Sequence, residues 1–302
     1  MPTIRTVTVL GSGVLGSQIA FQAAFHGFAV TSYDVTDEVL DAARERFRGL
    51  AGVYESAQVS GGIPGGAAAA LDSLRLTSDL AEAVADADLV IEAVPEDLAL
   101  KQELYGRLDA LAPERTIFAT NSSTLLPSDL KVSTGRPDRF LALHYANHVW
   151  VQNTAEIMGT ADTDPAVVDA VVAFAVESGL EPIRLQKEKA GYLLNSLLVP
   201  LLNAASGLLM GGYADPETID KTWRIGTGAP LGPFQIFDVI GLNTAYHVAV
   251  AAPDEASQAF ADHLKTEYLD QGRLGTATGE GFYRYRIGRL PDQQRKRTRS
   301  AS

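Results

Sequence analysis

The stretch Val7-Thr-Val-Leu-Gly11-Ser-Gly13-Val-Leu-Gly16 decides the fold, because a short apolar run ends there at a glycine-rich turn. The apolar run predicts a β-strand, and the periodic segment from Val14 to Phe25 predicts a helix directly after the turn. The glycines occupy the three positions of G-x-G-x-x-G, the fingerprint of a dinucleotide-binding strand–turn–helix unit. Gly11 permits the sharp turn, Gly13 lets the backbone approach a pyrophosphate, and Gly16 lets helix and strand pack closely.

The residues after this first helix favour the same interpretation. A second predicted strand, Ala29 to Tyr33, ends at Asp34, about 20 residues past the turn, where a carboxylate can hold the ribose hydroxyls of NAD. A carboxylate there disfavours NADP, since the 2′-phosphate would meet a like charge. An ordinary βαβ turn beside an acidic loop is the alternative. The sequence therefore predicts an NAD site at Asp34 and at the six turn residues Gly11, Ser12, Gly13, Val14, Leu15 and Gly16.

The composition of the 302-residue chain excludes several kinds of site and partner. It contains 0 Cys, which excludes disulfides, thiolate catalysis and cysteine metal sites. The net charge is −12, and it becomes −18 without Arg284 to Ser302, which hold seven basic residues and one acid. Such an acidic body argues against a nucleic-acid partner. Arg295 to Arg299 could form a nucleic-acid patch, but such a run is typical of a solvated terminus.

The length and hydropathy of the chain predict about two domains with a substantial core, since 46% of the residues are hydrophobic. We find no apolar run of the roughly 18 residues needed to cross a membrane, so no membrane association is expected. The N-terminus leads straight into a strand, without the pattern of a signal peptide. The expected location is therefore the cytoplasm.

Alternating strands and helices predict an α/β fold, a Rossmann-type doubly wound and mostly parallel sheet at residues 1–186. Further strands are predicted at 74–77, 89–94, 116–120, 140–144, 154–158 and 182–185, and further helices at 37–50, 79–85, 98–111 and 165–178. Residues 187–302 predict an all-helical substrate and dimerisation domain, with helices at 193–210, 216–224, 233–239 and 254–269. The segment 193–210 is apolar nearly all round, so we expect it to be buried, in part by a second subunit of a homodimer.

Polar side chains follow three of the predicted strands, at the edge where open α/β sheets bind ligands. They are Glu96, the segment Asn121-Ser-Ser-Thr124 and the segment His144-Tyr-Ala-Asn147, and Glu156 lies on the next strand. A histidine at this edge with a carboxylate nearby can act as a general base near neutral pH.

The motifs, taken in order, resemble those of the short-chain 3-hydroxyacyl-CoA dehydrogenase family, which includes 3-hydroxybutyryl-CoA dehydrogenases. Besides the glycine turn, Glu96 and Lys101 match the family's pair in E-N-L-x-x-K. The other matching segments are Asn121-Ser-Ser123 for N-(T/S)-S, His144-Tyr-Ala-Asn147 for H-F-F-N, Gly191-Tyr-Leu-Leu-Asn195 for G-(F/R)-I-x-N, Leu231-Gly-Pro-Phe234 with Asp238-Val-Ile-Gly241 for M-G-P-F-x-L-x-D-x-x-G, and Gly279-Glu-Gly-Phe-Tyr283 for G-x-G-F-Y.

The resemblance implies NAD-dependent oxidation of a short 3-hydroxyacyl-CoA to the 3-oxoacyl-CoA. It implies that His144 takes the hydroxyl proton while hydride leaves C3, and that Glu156 orients the imidazole. It also implies that Ser123 and Asn195 donate hydrogen bonds to the substrate oxygen. The residues implied to contact the cofactor, besides Asp34 and the turn, are Glu96, Lys101, Ser123 and Asn147.

Other interpretations of these residues are weaker or stay open. A Ser123, His144 and Glu156 hydrolase triad would need the G-x-S-x-G elbow, which the chain lacks. His144 and His148 would share a metal only on a helix, and their segment leaves a strand, so no metal is expected. A dehydrogenase of a non-CoA 3-hydroxy acid or carrier-bound acyl group stays open, as does a non-catalytic NAD-binding protein.

The chain departs from the family pattern at three places, one of which is Ser196, where the family has Arg after the Asn that Asn195 matches. After Asn147 family members continue with P-x-P, where this chain has His148-Val-Trp150. Family members also tend to place several lysines after the second strand, for a polyanionic ligand, where this chain has Arg44, Arg46 and Arg48. We therefore expect the catalytic spacing to be kept and the wall around the acyl group to differ.

Overall fold

The chain divides into two units between Leu193 and Leu194, and the computed structural model describes residues 3–285. The division falls a few residues after the boundary that we expect from the sequence at residue 186. The basic residues Arg295 to Arg299 lie outside the described residues, so the interpretation of that segment stays a prediction.

The first unit is built on an eight-stranded sheet. Its strands are β1 (Thr6–Leu10), β2 (Ala29–Tyr33), β3 (Arg75–Thr77), β4 (Leu89–Glu92), β5 (Ile117–Thr120), β6 (Phe140–Tyr145), β7 (Thr154–Gly159) and β8 (Glu181–Arg184). They lie in the order β3-β2-β1-β4-β5-β6-β7-β8, and every neighbouring pair is parallel except β6 and β7. The predicted doubly wound, mostly parallel sheet is confirmed. Its switch point lies between β1 and β4, where such sheets bind ligands.

Seven helices accompany the sheet among the described residues. They are α1 (Val14–Phe25), α2 (Asp37–Ala57), α3 (Gly66–Ser73), α4 (Leu80–Val84), α5 (Leu98–Leu111), α6 (Pro127–Leu130) and α7 (Pro165–Glu177), with 3₁₀ turns at Lys131–Ser133 and Pro137–Arg139. Helices α2, α4, α5 and α7 begin at a capping Thr or Asp side chain. The side chains of Asp79 and Asp97 accept hydrogen bonds from the first turns of α4 and α5. Helix α2 runs past its expected end near Leu50, because Ala51 and Tyr54 continue its buried face.

The second unit is helical among its described residues. Helix α8 (Tyr192–Met210) begins at the end of the first unit, and α9 (Pro216–Thr227), α10 (Pro233–Ile240), α11 (Leu242–Ala251) and α12 (Glu255–Glu267) follow, with 3₁₀ turns at Leu269–Gln271 and Thr276–Thr278. Helix α11 was not predicted from the sequence, and Gly241, with φ of +95°, separates it from α10. Buried Asp238 accepts hydrogen bonds from the backbone N–H groups of Phe282 and Tyr283, which fixes the segment after α12.

Helix α8 corrects one expectation from the sequence and leaves burial by a second subunit a prediction. We expect burial for this segment, yet only 17% of its most apolar 18-residue window is buried, and Leu197 is 75% exposed. By length and composition alone, this 19-residue helix could also cross a membrane, although such a helix is weak evidence for one. Asn195, Ser196 and Asn203 interrupt the apolar run but carry no charge, so a search for unbroken runs overlooks the helix.

Candidate active site

The glycine turn between β1 and α1 is constrained by close backbone approaches. Gly11 has φ of +94°, and its N–H donates to the Tyr33 carbonyl at 2.9 Å, which joins the turn to the end of β2. A Cβ on Gly16 would lie 1.9 Å from the Gly11 carbonyl oxygen, so only glycine fits there. A Cβ on Gly13 would meet nothing within 4 Å among the described residues. The turn therefore leaves open space at the position where a pyrophosphate would approach.

Asp34 closes this turn from the end of β2. Its carboxylate accepts hydrogen bonds from the Ser12 N–H and hydroxyl, both at 2.7 Å, and from the Val35 N–H at 2.8 Å. Arg46, on α2, donates from Nε to the Ser12 carbonyl at 2.9 Å. The predicted carboxylate thus lies beside the predicted phosphate turn, which fits the ribose and pyrophosphate of a dinucleotide.

A buried ion pair lies at the ends of β4 and α5. Lys101 is 1% exposed, and its Nζ lies 2.7 Å from Glu92 Oε1 and 3.2 Å from Glu96 Oε2. Glu92 is fully buried and also accepts a hydrogen bond from the Thr120 hydroxyl at 2.8 Å. Glu96 and Lys101 were predicted from the sequence as site residues, whereas Glu92 was not. The available signal was that Glu92 ends the apolar run Leu89–Glu92 of a strand expected to be buried. A buried carboxylate needs a charged or hydrogen-bonding partner.

Glu96 is held in its ionised form by several donors. Its Oε1 accepts hydrogen bonds from the Ser122 hydroxyl at 2.5 Å, and from the Thr124 hydroxyl and N–H at 2.7 and 2.8 Å. Partial burial acts to raise the pKa of Glu96, but these hydrogen bonds and the charge of Lys101 lower it to about 2. Glu96 therefore stays negatively charged at any pH near neutrality.

His144 lies in a group of polar side chains near the ends of β4 to β7, here called the strand-end cluster. Its members are Glu96, Ser122, Ser123, His144 and Glu156. In the antiparallel pairing of β6 with β7, His144 lies directly opposite Glu156, and its Nδ1 is 3.1 Å from Glu156 Oε2. Its Nε2 is 3.2 Å from the hydroxyl oxygen of Ser123, which follows β5. A carboxylate accepts hydrogen bonds, so Nδ1 donates to Glu156 and Nε2 is left to exchange a proton with a ligand.

The segment that enters α8 covers this pair. The Tyr192 ring lies parallel to the His144 imidazole, with ring centroids 4.2 Å apart and an angle of 7° between the planes. The Tyr192 hydroxyl donates to the Ser122 carbonyl at 2.7 Å, and the Leu193 N–H donates to Glu156 Oε1 at 2.9 Å. Tyr192 and Ser122 were not predicted from the sequence as site residues. The signal for Tyr192 was an aromatic residue inside the matched segment between Gly191 and Asn195.

Two expected site residues are not joined to this cluster by a described contact. Asn147 is exposed in the loop after β6, where Gln18 Oε1 accepts the His148 N–H at 2.7 Å. Asn195 lies in α8 within the second unit, so its role toward a substrate stays a prediction. Among residues 3–285, no cluster of three or more His, Asp or Glu side chains is arranged for a metal ion.

Two family models cover almost all of the described chain. Residues 6–189 match the model of the 3-hydroxyacyl-CoA dehydrogenase NAD binding domain, and residues 191–285 match the model of the 3-hydroxyacyl-CoA dehydrogenase C-terminal domain. Together with the Rossmann sheet and its glycine turn, they define an NAD-dependent oxidoreductase. The chain belongs to the 3-hydroxyacyl-CoA dehydrogenase family.

Individual relatives support the same assignment. The human mitochondrial hydroxyacyl-coenzyme A dehydrogenase is 33% identical over 290 residues, which covers 94% of this chain and 92% of that protein. A probable 3-hydroxybutyryl-CoA dehydrogenase of Bacillus subtilis is 32% identical, with 93% and 98% covered. The solved structure of a diketoreductase, described as acting on dicarbonyl compounds, is 65% identical with a TM-score of 0.90 and covers 94% of this chain and 100% of its own.

The turn generates a prediction with a matched pair of variants. Gly16→Ala should lower the free energy of unfolding by about 1–3 kcal/mol or more, because its Cβ would collide with the Gly11 carbonyl. Gly13→Ala should leave thermal unfolding unchanged but weaken NADH binding, because its Cβ enters open space that the cofactor needs. Thermal unfolding and NADH fluorescence titration check both. Unchanged NADH affinity in Gly13→Ala would contradict this placement of the pyrophosphate.

Proposed function

We propose that this protein interconverts a 3-hydroxyl and a 3-oxo group on a short acyl substrate by reversible hydride transfer, with His144 as the acid and base. The observation that carries the proposal is the position of His144 between Glu156 on Nδ1 and Ser123 on Nε2. A histidine oriented by a carboxylate on one nitrogen and facing a hydroxyl on the other has the arrangement of a general base.

The cofactor in this proposal is held by the residues that surround the switch point of the sheet. The glycine turn would hold the pyrophosphate, Asp34 the adenosine ribose, and Glu96 the nicotinamide ribose. Lys101 is only 1% exposed, so it would act by holding Glu96 through their 3.2 Å ion pair. When bound, NAD accepts the hydride from C3 or returns it. Buried Glu92 keeps Lys101 in place, since its carboxylate lies 2.7 Å from the ammonium group.

The protein's own part of the reaction is a proton transfer. During oxidation, His144 Nε2 takes the proton of the 3-hydroxyl, and the charge of Glu156 stabilises the imidazolium that forms. The Ser123 hydroxyl, with Asn195 as a second donor, stabilises the substrate oxygen. In oxyanion holes, a hydrogen-bond donor placed in this way lowers the activation free energy by roughly 2.7–4 kcal/mol. During reduction the imidazolium returns the proton to the oxygen. The assembled hydrogen bonds favour this reaction over a non-catalytic NAD-binding role.

The first candidate substrate is a short 3-hydroxyacyl-CoA. Family membership supports this candidate, and so do the names of the human and bacterial relatives. The carrier would contribute binding energy through its phosphates only if cationic side chains faced it.

The second candidate substrate is a small β-dicarbonyl compound without CoA, and two observations favour it. First, the positive charge of the α2 arginines is offset locally. Asp41 and Glu45 lie beside exposed Arg44 and Arg48 on the same helix, and Arg46 donates to the glycine turn. Second, the relative that is 65% identical is a diketoreductase acting on dicarbonyl compounds. Under this candidate, His144 performs the same proton transfer on a smaller ligand.

Reduction rates of two thioesters and one ester distinguish the two candidate substrates. We expect acetoacetyl-CoA, acetoacetyl-pantetheine and ethyl acetoacetate to be reduced with kcat/KM values within about tenfold, or about 1.4 kcal/mol, because neighbouring acids offset the charge of the exposed α2 arginines. NADH consumption at 340 nm measures each rate. If acetoacetyl-CoA exceeds the pantetheine thioester by a hundredfold, the CoA nucleotide is recognised and the second candidate fails. If none is reduced, both candidates fail.

A substitution at the acid–base pair tests the mechanism itself. His144→Asn should lower kcat by about 10²–10⁴, because general acid–base catalysis of this kind contributes a factor of that size. NADH affinity should stay within about twofold. His247→Asn, at an exposed histidine of the second unit, is the matched control and should retain activity. Full turnover by His144→Asn would refute the role assigned to the imidazole.

We propose further that two copies of this chain pair through the exposed side of α8. Leu202 and Ala205 pack into the core of the second unit, while Leu197 is 75% exposed, and α8 carries no charged residue. A second copy would cover the exposed apolar side chains of α8, such as Leu197. The net charge of −12 disfavours the alternative of an anionic membrane surface.

Light scattering after size exclusion tests the pairing. We expect twice the chain mass of 32.2 kDa for the wild type, and a lower mass for Leu197→Glu, because a buried charge breaks the interface. Val132→Glu, at an equally exposed valine of the first unit, is the matched control and should stay paired. The proposal would be contradicted if the wild type had the mass of one chain, 32.2 kDa, or if it sedimented with lipid vesicles.

A further inference from the structure

Tyr192 makes an unusual contact with His144. The two rings are parallel within 7°, and their centroids are 4.2 Å apart. Both side chains are buried, with 1% of Tyr192 and 6% of His144 exposed. The phenol ring therefore covers one face of the imidazole and excludes water from it.

The backbone holds Tyr192 in a conformation that side chains rarely adopt. Its φ is +52°, in the left-handed region, which costs of order 1–3 kcal/mol and persists only where the surroundings determine it. The hydrogen bond from its hydroxyl to the Ser122 carbonyl, at 2.7 Å, fixes the far end of the ring. Both ends of Tyr192 are thus restrained, which leaves its ring little freedom to leave the imidazole.

The residues on either side of Tyr192 reach the same cluster. The Gly191 N–H donates to the Ser123 carbonyl at 3.3 Å, and the Leu193 N–H donates to Glu156 Oε1 at 2.9 Å. Three consecutive residues therefore contact Ser123, His144 and Glu156, the groups that the proposed mechanism uses. A role limited to filling space would not require each of the three to meet a different member of the cluster.

We infer that Tyr192 is the positioning residue that sets the plane of the His144 imidazole, an inference that rests on the proposed function. The second side-chain torsion of a histidine is broad, so a hydrogen bond to Glu156 alone permits the ring to rock. A parallel ring at van der Waals distance restricts that motion and keeps Nε2 directed at the substrate oxygen. The face of the phenol also attracts the imidazolium that forms during oxidation.

The environment of Tyr192 suits this role. Burial, with smaller contributions from the charges of Glu96, Glu156 and Glu92, raises the pKa of the Tyr192 hydroxyl well above its usual value. The hydroxyl therefore stays protonated and donates to Ser122. The Ser122 hydroxyl in turn binds Glu96, so Tyr192 joins the acid–base pair to the residue expected at the nicotinamide ribose.

The test compares two variants of one residue. Tyr192→Leu removes the ring face, whereas Tyr192→Phe keeps it and removes only the hydroxyl. We expect Tyr192→Leu to lower kcat by about 10- to 100-fold, the effect of a misplaced catalytic group, while KM for NADH changes less than about twofold. Tyr192→Phe should retain kcat within about threefold. A residue that served only stability would not give this separation between kcat and KM, nor rescue by phenylalanine.

A spectroscopic measurement makes the test independent of turnover. The stacked phenol should shift the His144 Cε1–H resonance upfield in the wild type and in Tyr192→Phe, and Tyr192→Leu should abolish the shift. If Tyr192→Leu fails to fold, Tyr192→Met fills the same space without a ring face, and the wild-type resonance alone still decides whether the rings are stacked.

His144→Asn, assayed in parallel, separates this inference from the proposed function. If His144→Asn retains turnover, the proposed function fails. If His144→Asn is inactive but Tyr192→Leu has the kcat and the resonance of the wild type, the positioning role of Tyr192 is overturned and the proposed function stands.

Discussion

The register between β6 and β7 is the constraint on which the site depends. These two strands form the antiparallel pair of a sheet in which the other neighbouring strands are parallel. Their pairing places His144 opposite Glu156. Side chains alternate between the two faces of a strand, so a slip of one residue would turn Glu156 to the other face and leave the imidazole without its acceptor. The acid–base pair is therefore a consequence of backbone pairing, and both strands are buried along most of their length.

The carboxyl ends of β4 and β5 complete the site through charge and hydrogen bonding. Lys101 lies between Glu92 and Glu96, and such a buried charge is tolerable only because both carboxylates are close to it. Glu96 then binds the Ser122 hydroxyl, and Ser123 follows directly to meet His144. The arrangement links the expected cofactor residues to the expected catalytic residues through direct hydrogen bonds.

The sequence predicted the strands, turns and helices that depend on residues close together in the chain. The run from Val7 to Gly16 predicted a strand, a turn and a helix, and α1 has the predicted bounds, because apolar periodicity and glycine positions determine such a unit. Asp34 could be placed beside the turn for the same reason. The end of α2 was placed too early, since its buried face continues to Tyr54 through residues of weak periodicity.

Contacts between distant residues could not be predicted in the same way. Glu92 was missed because its partner Lys101 meets it only after β4 and α5 have packed. The stacking of Tyr192 on His144 depends on a left-handed backbone that no sequence pattern indicated. Helix α8 is only partly buried in the single chain, and the sequence could not divide its burial between its own domain and a second subunit, because an apolar helix surface does not reveal which of them covers it.

The proton position on His144, read from the ¹⁵N and ¹H resonances of its ring, tests most directly whether Glu156 orients the imidazole. If Glu156 orients the imidazole, the neutral ring carries its proton on Nδ1, strongly deshielded by the carboxylate, and Nε2 is bare. A neutral ring with its proton on Nε2 would contradict the account, because the nitrogen that faces the substrate could not accept a proton.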